Sequence, residues 1–309
     1  MSLQSKAFKA LATLNDKQRD KDLKVDETIH AHYDLQYAGK SEFNRLDVYY
    51  PKGTIEPLPV IVNFHGGGFV YGMKESYLHY GMYLARQGFV FINPNYHLAP
   101  KKQYPTQIEE LNQVMQWLTL NAQTYHIDLN HVFLVGDSAG AQMASQYAAI
   151  YSNDDYAKLF DFDVPEDITI RALALNCGMY DLSKKMKAPI REEFKETDAN
   201  LLALLKDYLG KNWEKWEEHL AIKDNITSAF PPTFVMTAEY DFLREDALPM
   251  YEALLDHKVE ATYKVYGEKG DTHMTHIFHC NMNLEEARVC NREQSEWFKG
   301  FIAQEGDSD

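Results

Sequence analysis

Cysteine is scarce: Cys177, Cys280 and Cys290 are the three among 309 residues. An odd count without paired spacing excludes a disulfide framework, and a reducing cytoplasm is the expected location. Long apolar runs are missing too. None approaches the roughly 20 residues that cross a bilayer, so membrane insertion is not expected. The opening M-S-L-Q-S-K-A-F-K-A-L lacks the apolar stretch of a secretory signal. Basic residues are outnumbered, 31 Lys and Arg against 46 Asp and Glu, for a formal charge of −15. Such a surface repels phosphate backbones and anionic lipid. Nucleic acid is therefore not an expected partner, and the acidity serves solubility. There is no internal repeat and no low-complexity tract.

What is present suits one sizeable folded unit. Hydrophobic residues make up 45% of the chain, enough for a full core, and α/β folds of this length commonly form a single domain. The first thirty or so residues are charged and helix-compatible. Phe8, Leu11 and Leu14 fall at helical spacing, which predicts one apolar face laid on the body. From residue 43 short apolar runs alternate with helical stretches. Strands are expected at 46–50, 59–64, 90–94, 132–136, 170–176, 233–238 and 261–266. Helices are expected at 105–121 and 139–151 among others. Continuous apolar runs mark strands buried on both faces, and the alternation predicts a mostly parallel sheet with helices on both sides. Residues 182–225 break the rhythm. They hold no strand and are rich in Leu, Trp, Lys and Glu. An inserted helical cap over the carboxyl edge of the sheet is expected, where ligands of such folds bind. Tyr208, Trp213 and Trp216 fall in it as packing residues.

Two glycine motifs carry chemistry. G-D-S-A-G (136–140) follows the apolar run H-V-F-L-V and precedes a helix rich in small residues. Strand, sharp turn and helix around Gly-x-Ser-x-Gly form a nucleophile elbow. It presents the hydroxyl of Ser138 at a helix N-terminus, where free N–H groups favour negative charge. The neighbouring Asp137 is expected to bond loop backbone. H-G-G-G-F (65–69) follows the strand P-V-I-V-N-F. Consecutive glycines let backbone approach a ligand closely, and a tetrahedral oxyanion needs such donors. The N–H groups of Gly67, Gly68 and Ala139 are the candidate oxyanion hole. His65 is expected to support the loop. A phosphate loop would need a following Lys-Ser/Thr, which is absent from the sequence.

With these motifs on the page, the chain resembles the hormone-sensitive-lipase-like esterases of the α/β hydrolases. It carries H-G-G-G-F (65–69), N-Y-H-L-A-P (95–100, where the family commonly has Y-R-L-A-P), G-D-S-A-G (136–140) and D-F-L-R-E-D (241–246, close to the family's D-P-L-R-D). The resemblance implies an eight-stranded sheet, a helical cap built from about 1–40 and 182–225, and hydrolysis of small-molecule esters with modest acyl chains. No cofactor is implied, and cytosolic relatives often form homodimers. In this fold the acid follows the serine and precedes the histidine. Asp241 lies just past a strand end and matches the family motif. Glu239 falls too early, while Glu245 and Asp246 open a helix. G-D-T-H-M-T-H-I-F-H then offers His273, His276 and His279. His276-Ile277-Phe278 aligns best with the family's His-Gly-Phe, although isoleucine disfavours the positive φ that glycine permits. A metal held by His273, His276, His279 and Cys280 is not expected, because no second Cys/His pair completes a closed set. The same machinery serves an amidase, formamidase or peptidase. A non-catalytic ligand binder, as among plant gibberellin receptors that lack the triad histidine, is opposed by the histidines here, and an interfacial lipase by the acidic charge.

Overall fold

The computed structural model describes residues 1–302. In chain order the elements are α1 (Leu3–Asp20), β1 (Ile29–Gln36), β2 (Arg45–Pro51), β3 (Leu58–Phe64), α2 (Leu78–Arg86), β4 (Val90–Pro94), α3 (Thr106–Asn121), β5 (Ile127–Asp137), α4 (Ala139–Ser152) and α5 (Asp154–Ala157). There follow β6 (Ile170–Asn176), α6 (Leu182–Lys187), α7 (Lys195–Leu209), α8 (Glu217–Leu220), β7 (Thr233–Ala238), α9 (Arg244–Asp256), β8 (Ala261–Tyr266) and α10 (Glu285–Gly300). The strands form one eight-stranded sheet in the order β1-β2-β4-β3-β5-β6-β7-β8. The β1–β2 and β2–β4 pairs are antiparallel, and the other pairs are parallel. Among the described residues no helix is long and apolar enough to cross a membrane.

The period of two in each strand divides the core between the faces of the sheet. Val60, Val62 and Phe64 of β3, with Val132 and Leu134 of β5, join the cluster under α3 and α4. Ile61, Phe133 and Val135 point the other way, onto the side of α2 and α10. Both faces are covered, which is why the central strands read as unbroken apolar runs.

Two expectations for the N-terminal segment need correction. Residues 29–36 form an edge strand of the sheet, so they do not belong to a helical segment reaching residue 40. I-H-A-H-Y-D-L-Q alternates apolar and polar residues over its eight positions, the period-two pattern of a half-covered edge strand. The helix α1 exists, but its docking face is displaced from the expected one. Leu11 and Leu14 are 60% and 66% exposed. Ser5, Phe8, Ala12, Asp16 and Arg19 face the body instead. Polar anchoring decides this rotation: Arg19 donates to the Ser76 carbonyl at 2.5 Å, Tyr71 Oη donates to Asp16 at 2.8 Å, and the Ser2 N–H donates to Asp207 of α7 at 2.7 Å. The 182–225 segment is helical throughout its ordered turns, without a strand, and α7 packs against α1.

Candidate active site

Ser138 sits between the end of β5 and the start of α4 with φ +53° and ψ −116°. A non-glycine residue is held at positive φ only where its surroundings over-determine it. Here its N–H donates to the Asn176 carbonyl of β6 at 2.9 Å, and its carbonyl accepts from Met179 N at 3.3 Å. The flanking glycines have steric causes. A Cβ on Gly136 would strike the Gly140 carbonyl, and one on Gly140 would strike the Phe64 carbonyl of β3. The hydroxyl of Ser138 makes no hydrogen bond among the described residues, and it faces a cavity of about 570 Å³. That volume falls in the range of about 300–1,000 Å³ usual for small-molecule sites.

The glycine loop closes one side of this cavity. Gly67 has φ +110° and Gly68 φ +58°, and a side chain on Gly67 would run into the Tyr71 carbonyl. The Gly66 N–H is committed to Tyr77 Oη at 2.9 Å and Asp137 Oδ1 at 3.1 Å. The N–H groups of Gly67 and Gly68 donate to no group among the described residues. Ala139, the first residue of α4, has an N–H without a helical partner. His65 supports the loop as expected. Its ring stacks on Tyr96 at 4.0 Å and its Nδ1 lies 2.8 Å from the Gly66 carbonyl; burial lowers its pKa to about 4, so it stays neutral. Phe69 stacks on Tyr208 at 3.7 Å, which ties the loop to α7.

Asp137 joins the elbow to the loop. Its Oδ2 accepts from Tyr77 Oη at 2.9 Å while Oδ1 accepts from Gly66. Full burial raises its pKa to about 6 despite those donors and the nearby His276. Tyr77 was not legible in the sequence, because the contact spans 60 positions and lies in no motif.

Asp241 follows β7 and its side chain is fully enclosed. Oδ1 accepts from His276 Nδ1 at 2.7 Å and from the Leu243 N–H at 2.9 Å; Oδ2 accepts from Thr237 Oγ1 at 2.8 Å. Burial pushes the carboxyl upward, but His276 and these donors outweigh it and hold the pKa at about 2. The carboxylate is therefore charged at neutral pH. The loop bearing His276 is registered by the Tyr240 N–H, which donates to the Met274 carbonyl at 2.9 Å. Ile277 does take the left-handed conformation, φ +54° and ψ +28°, at the position where the family has glycine. That costs roughly 1–2 kcal/mol, offset by contacts around it.

The rivals are otherwise engaged. Glu239 pairs with Arg244 at 2.8 Å, Glu245 with Arg191 at 3.2 Å and Asp246 with Lys185 at 2.6 Å. His273 is half exposed and faces Glu286 at 3.2 Å. His279 is buried under Tyr80, with its pKa lowered to about 3 by burial. The His273, His276, His279 and Cys280 side chains do not converge. A different trio, Cys177, Asp241 and His276, does come together. Burial keeps the Cys177 thiol protonated, and the Asp241 and His276 atoms already bond each other. Three groups fall short of the four ligands of a closed structural zinc set.

Comparison with known proteins places the fold in a family. A family model described as the alpha/beta hydrolase fold matches residues 61–279. The chain belongs to this family, in its hormone-sensitive-lipase-like group. It is 26% identical to an acetyl esterase of Salmonella typhi over 225 residues, 71% of this chain and 66% of that protein. The matched segments span 55–66% of the length of such curated relatives. The structure superposes on esterase B from Lactobacillus rhamnosis with a TM-score of 0.87 and 25% identity, covering 97% of this chain and 95% of that one. An esterase of Pyrobaculum calidifontis shares the fold, with a TM-score of 0.75 and 22% identity over 98% and 94% of the two chains.

Proposed function

We propose that this family member is a serine carboxylesterase acting on short- to medium-chain acyl esters. The observation that carries the reading is the 2.7 Å bond from His276 Nδ1 to Asp241, in one cavity with an unbonded serine hydroxyl and two unengaged loop N–H groups. His276, oriented by Asp241, takes the proton of Ser138 as its oxygen attacks the ester carbonyl. The oxyanion is received by the N–H groups of Gly67, Gly68 and Ala139. His276 then returns the proton to the departing alcohol, and water repeats the cycle on the acyl-enzyme. Ser138 and His276 line the same cavity, and the hydrogen bond between them is one that tightens in the substrate complex. The named acetyl esterase and esterase B support an ester substrate. Three free, buried cysteines support a reducing, cytoplasmic setting.

Wild type and Ser138→Ala should be compared on p-nitrophenyl esters from acetate to palmitate. Serine-dependent release that peaks at short chains is expected. A folded wild type that cleaves none of them sinks the reading.

A further inference from the structure

A second cavity of about 430 Å³ adjoins the catalytic one. The two share a wall of four residues: Thr197 and Leu201 of α7, and Phe242 and Leu243 after β7. Leu243 is buried and forms the base of the wall. Phe242 is 53% exposed and its ring leans on His276, centroids 4.4 Å apart. This side chain is also where the chain departs from the family's D-P-L-R-D, since phenylalanine stands in place of proline. A bulky ring stands where the two cavities meet, with half of its surface unpacked.

The chemistry of the second cavity is legible from its lining. Pro189, Ile190, Leu202, Leu205 and Pro249 make an apolar floor. The charged lining is balanced: Lys185 pairs with Asp246 at 2.6 Å, Lys223 with Asp181 at 2.5 Å and Arg191 with Asp198 at 2.9 Å and Glu245 at 3.2 Å, and Lys184 supplies the remaining positive charge. Matched charges neutralise one another, so the space suits an uncharged alkyl or aryl group and disfavours an ion.

Which half of the substrate reaches it follows from the proposed mechanism. The histidine must protonate the leaving oxygen, so the alcohol lies on the His276 side of the scissile bond. The carbonyl oxygen points to the glycine loop. Phe242 covers His276, and the second cavity opens behind that ring. We infer that the second cavity is the subsite for the distal part of the leaving alcohol, an uncharged elongated alkyl or aryl group, with Phe242 and Leu201 as the partition that sets how large an alcohol is accepted. This rests on the esterase reading.

The test uses the whole chain and two substrate series. Ethyl and hexyl acetate vary the alcohol and are followed by acetate release at constant pH. p-Nitrophenyl acetate and octanoate vary the acyl chain. Phe242→Ala and Leu201→Ala are each expected to raise the hexyl-to-ethyl ratio of kcat/KM by about tenfold, and Ala188→Trp, which fills the second cavity alone, to lower it. Any disturbance of His276 affects both acetates and cancels in the ratio. The octanoate-to-acetate ratio is expected to move far less. An alcohol ratio that stays level in all three variants overturns the subsite, and a shift confined to the acyl series overturns the assignment to the alcohol. Turnover of ethyl acetate by wild type, lost in Ser138→Ala, keeps the esterase reading intact in either case. A wild type inert to every ester removes both.

Discussion

Asp241→Asn isolates the charge behind His276 while keeping the shape of the side chain. The carboxylate accepts three hydrogen bonds, and its pKa lies at about 2 against an ordinary 3.8. That depression corresponds to roughly 2 kcal/mol of folding stability. The sign follows from linkage: the unfolded chain binds the proton more tightly, so the contribution is complete above about pH 4 and is lost as pH falls toward 2. The variant should lack this part of the acid limb, with melting temperatures that converge on wild type near pH 2. Its effect on catalysis is larger. An amide can present N–H to His276 Nδ1 and select the wrong tautomer, and the imidazolium loses its counter-charge, so kcat is expected to fall about 10⁴-fold, as in other such triads. Initial rates on p-nitrophenyl acetate at pH 7, with thermal melts from pH 2 to 7, read both effects. A merely twofold loss of kcat would refute the reasoning and redirect attention to Glu239 or Asp246, despite their pairing with Arg244 and Lys185.

Two further substitutions probe the frame around the site. Tyr77→Phe removes the hydroxyl shared by Asp137 and the Gly66 N–H; kcat should drop by about 10- to 100-fold from a misplaced glycine loop, with KM little altered and stability lower by about 1–3 kcal/mol. Steady-state kinetics beside a urea titration checks this, and an unchanged kcat would detach the clamp from catalysis. Gly140→Ala drives a methyl group into the Phe64 carbonyl. It should destabilise the fold by about 3 kcal/mol or more, and a melting temperature equal to wild type would show that the elbow has room it is not credited with.

The parts of the site that local sequence dictates were readable in advance. The elbow and the glycine loop depend on backbone that only glycine permits beside Ser138 and at Gly67, so their spacing announces them. The central strands were readable because burial on both faces leaves them uniformly apolar. Choosing His276 over His273 and His279 needed the family resemblance, since three histidines in one loop are equivalent until Asp241 is seen to meet one of them. Long-range polar contacts were not readable. Arg19, Asp16 and Tyr71 turn α1 so that Leu11 and Leu14 face outward, against the hydrophobic spacing. Tyr77 and Thr237 bond Asp137 and Asp241 from positions with no motif. β1 was legible too: Ile29–Gln36 alternates strictly between apolar and polar residues, a strand pattern that the helical expectation for the N-terminal segment passes over.

The central claim is that Ser138 carries the acyl group, and covalent capture tests it most directly. The protein should be treated with an alkyl phosphonate that mimics the tetrahedral intermediate, and its peptides mapped by mass spectrometry. The account predicts one adduct, on Ser138, formed far more slowly in His276→Ala. An adduct on another residue, or none from a protein that still cleaves esters, would contradict it.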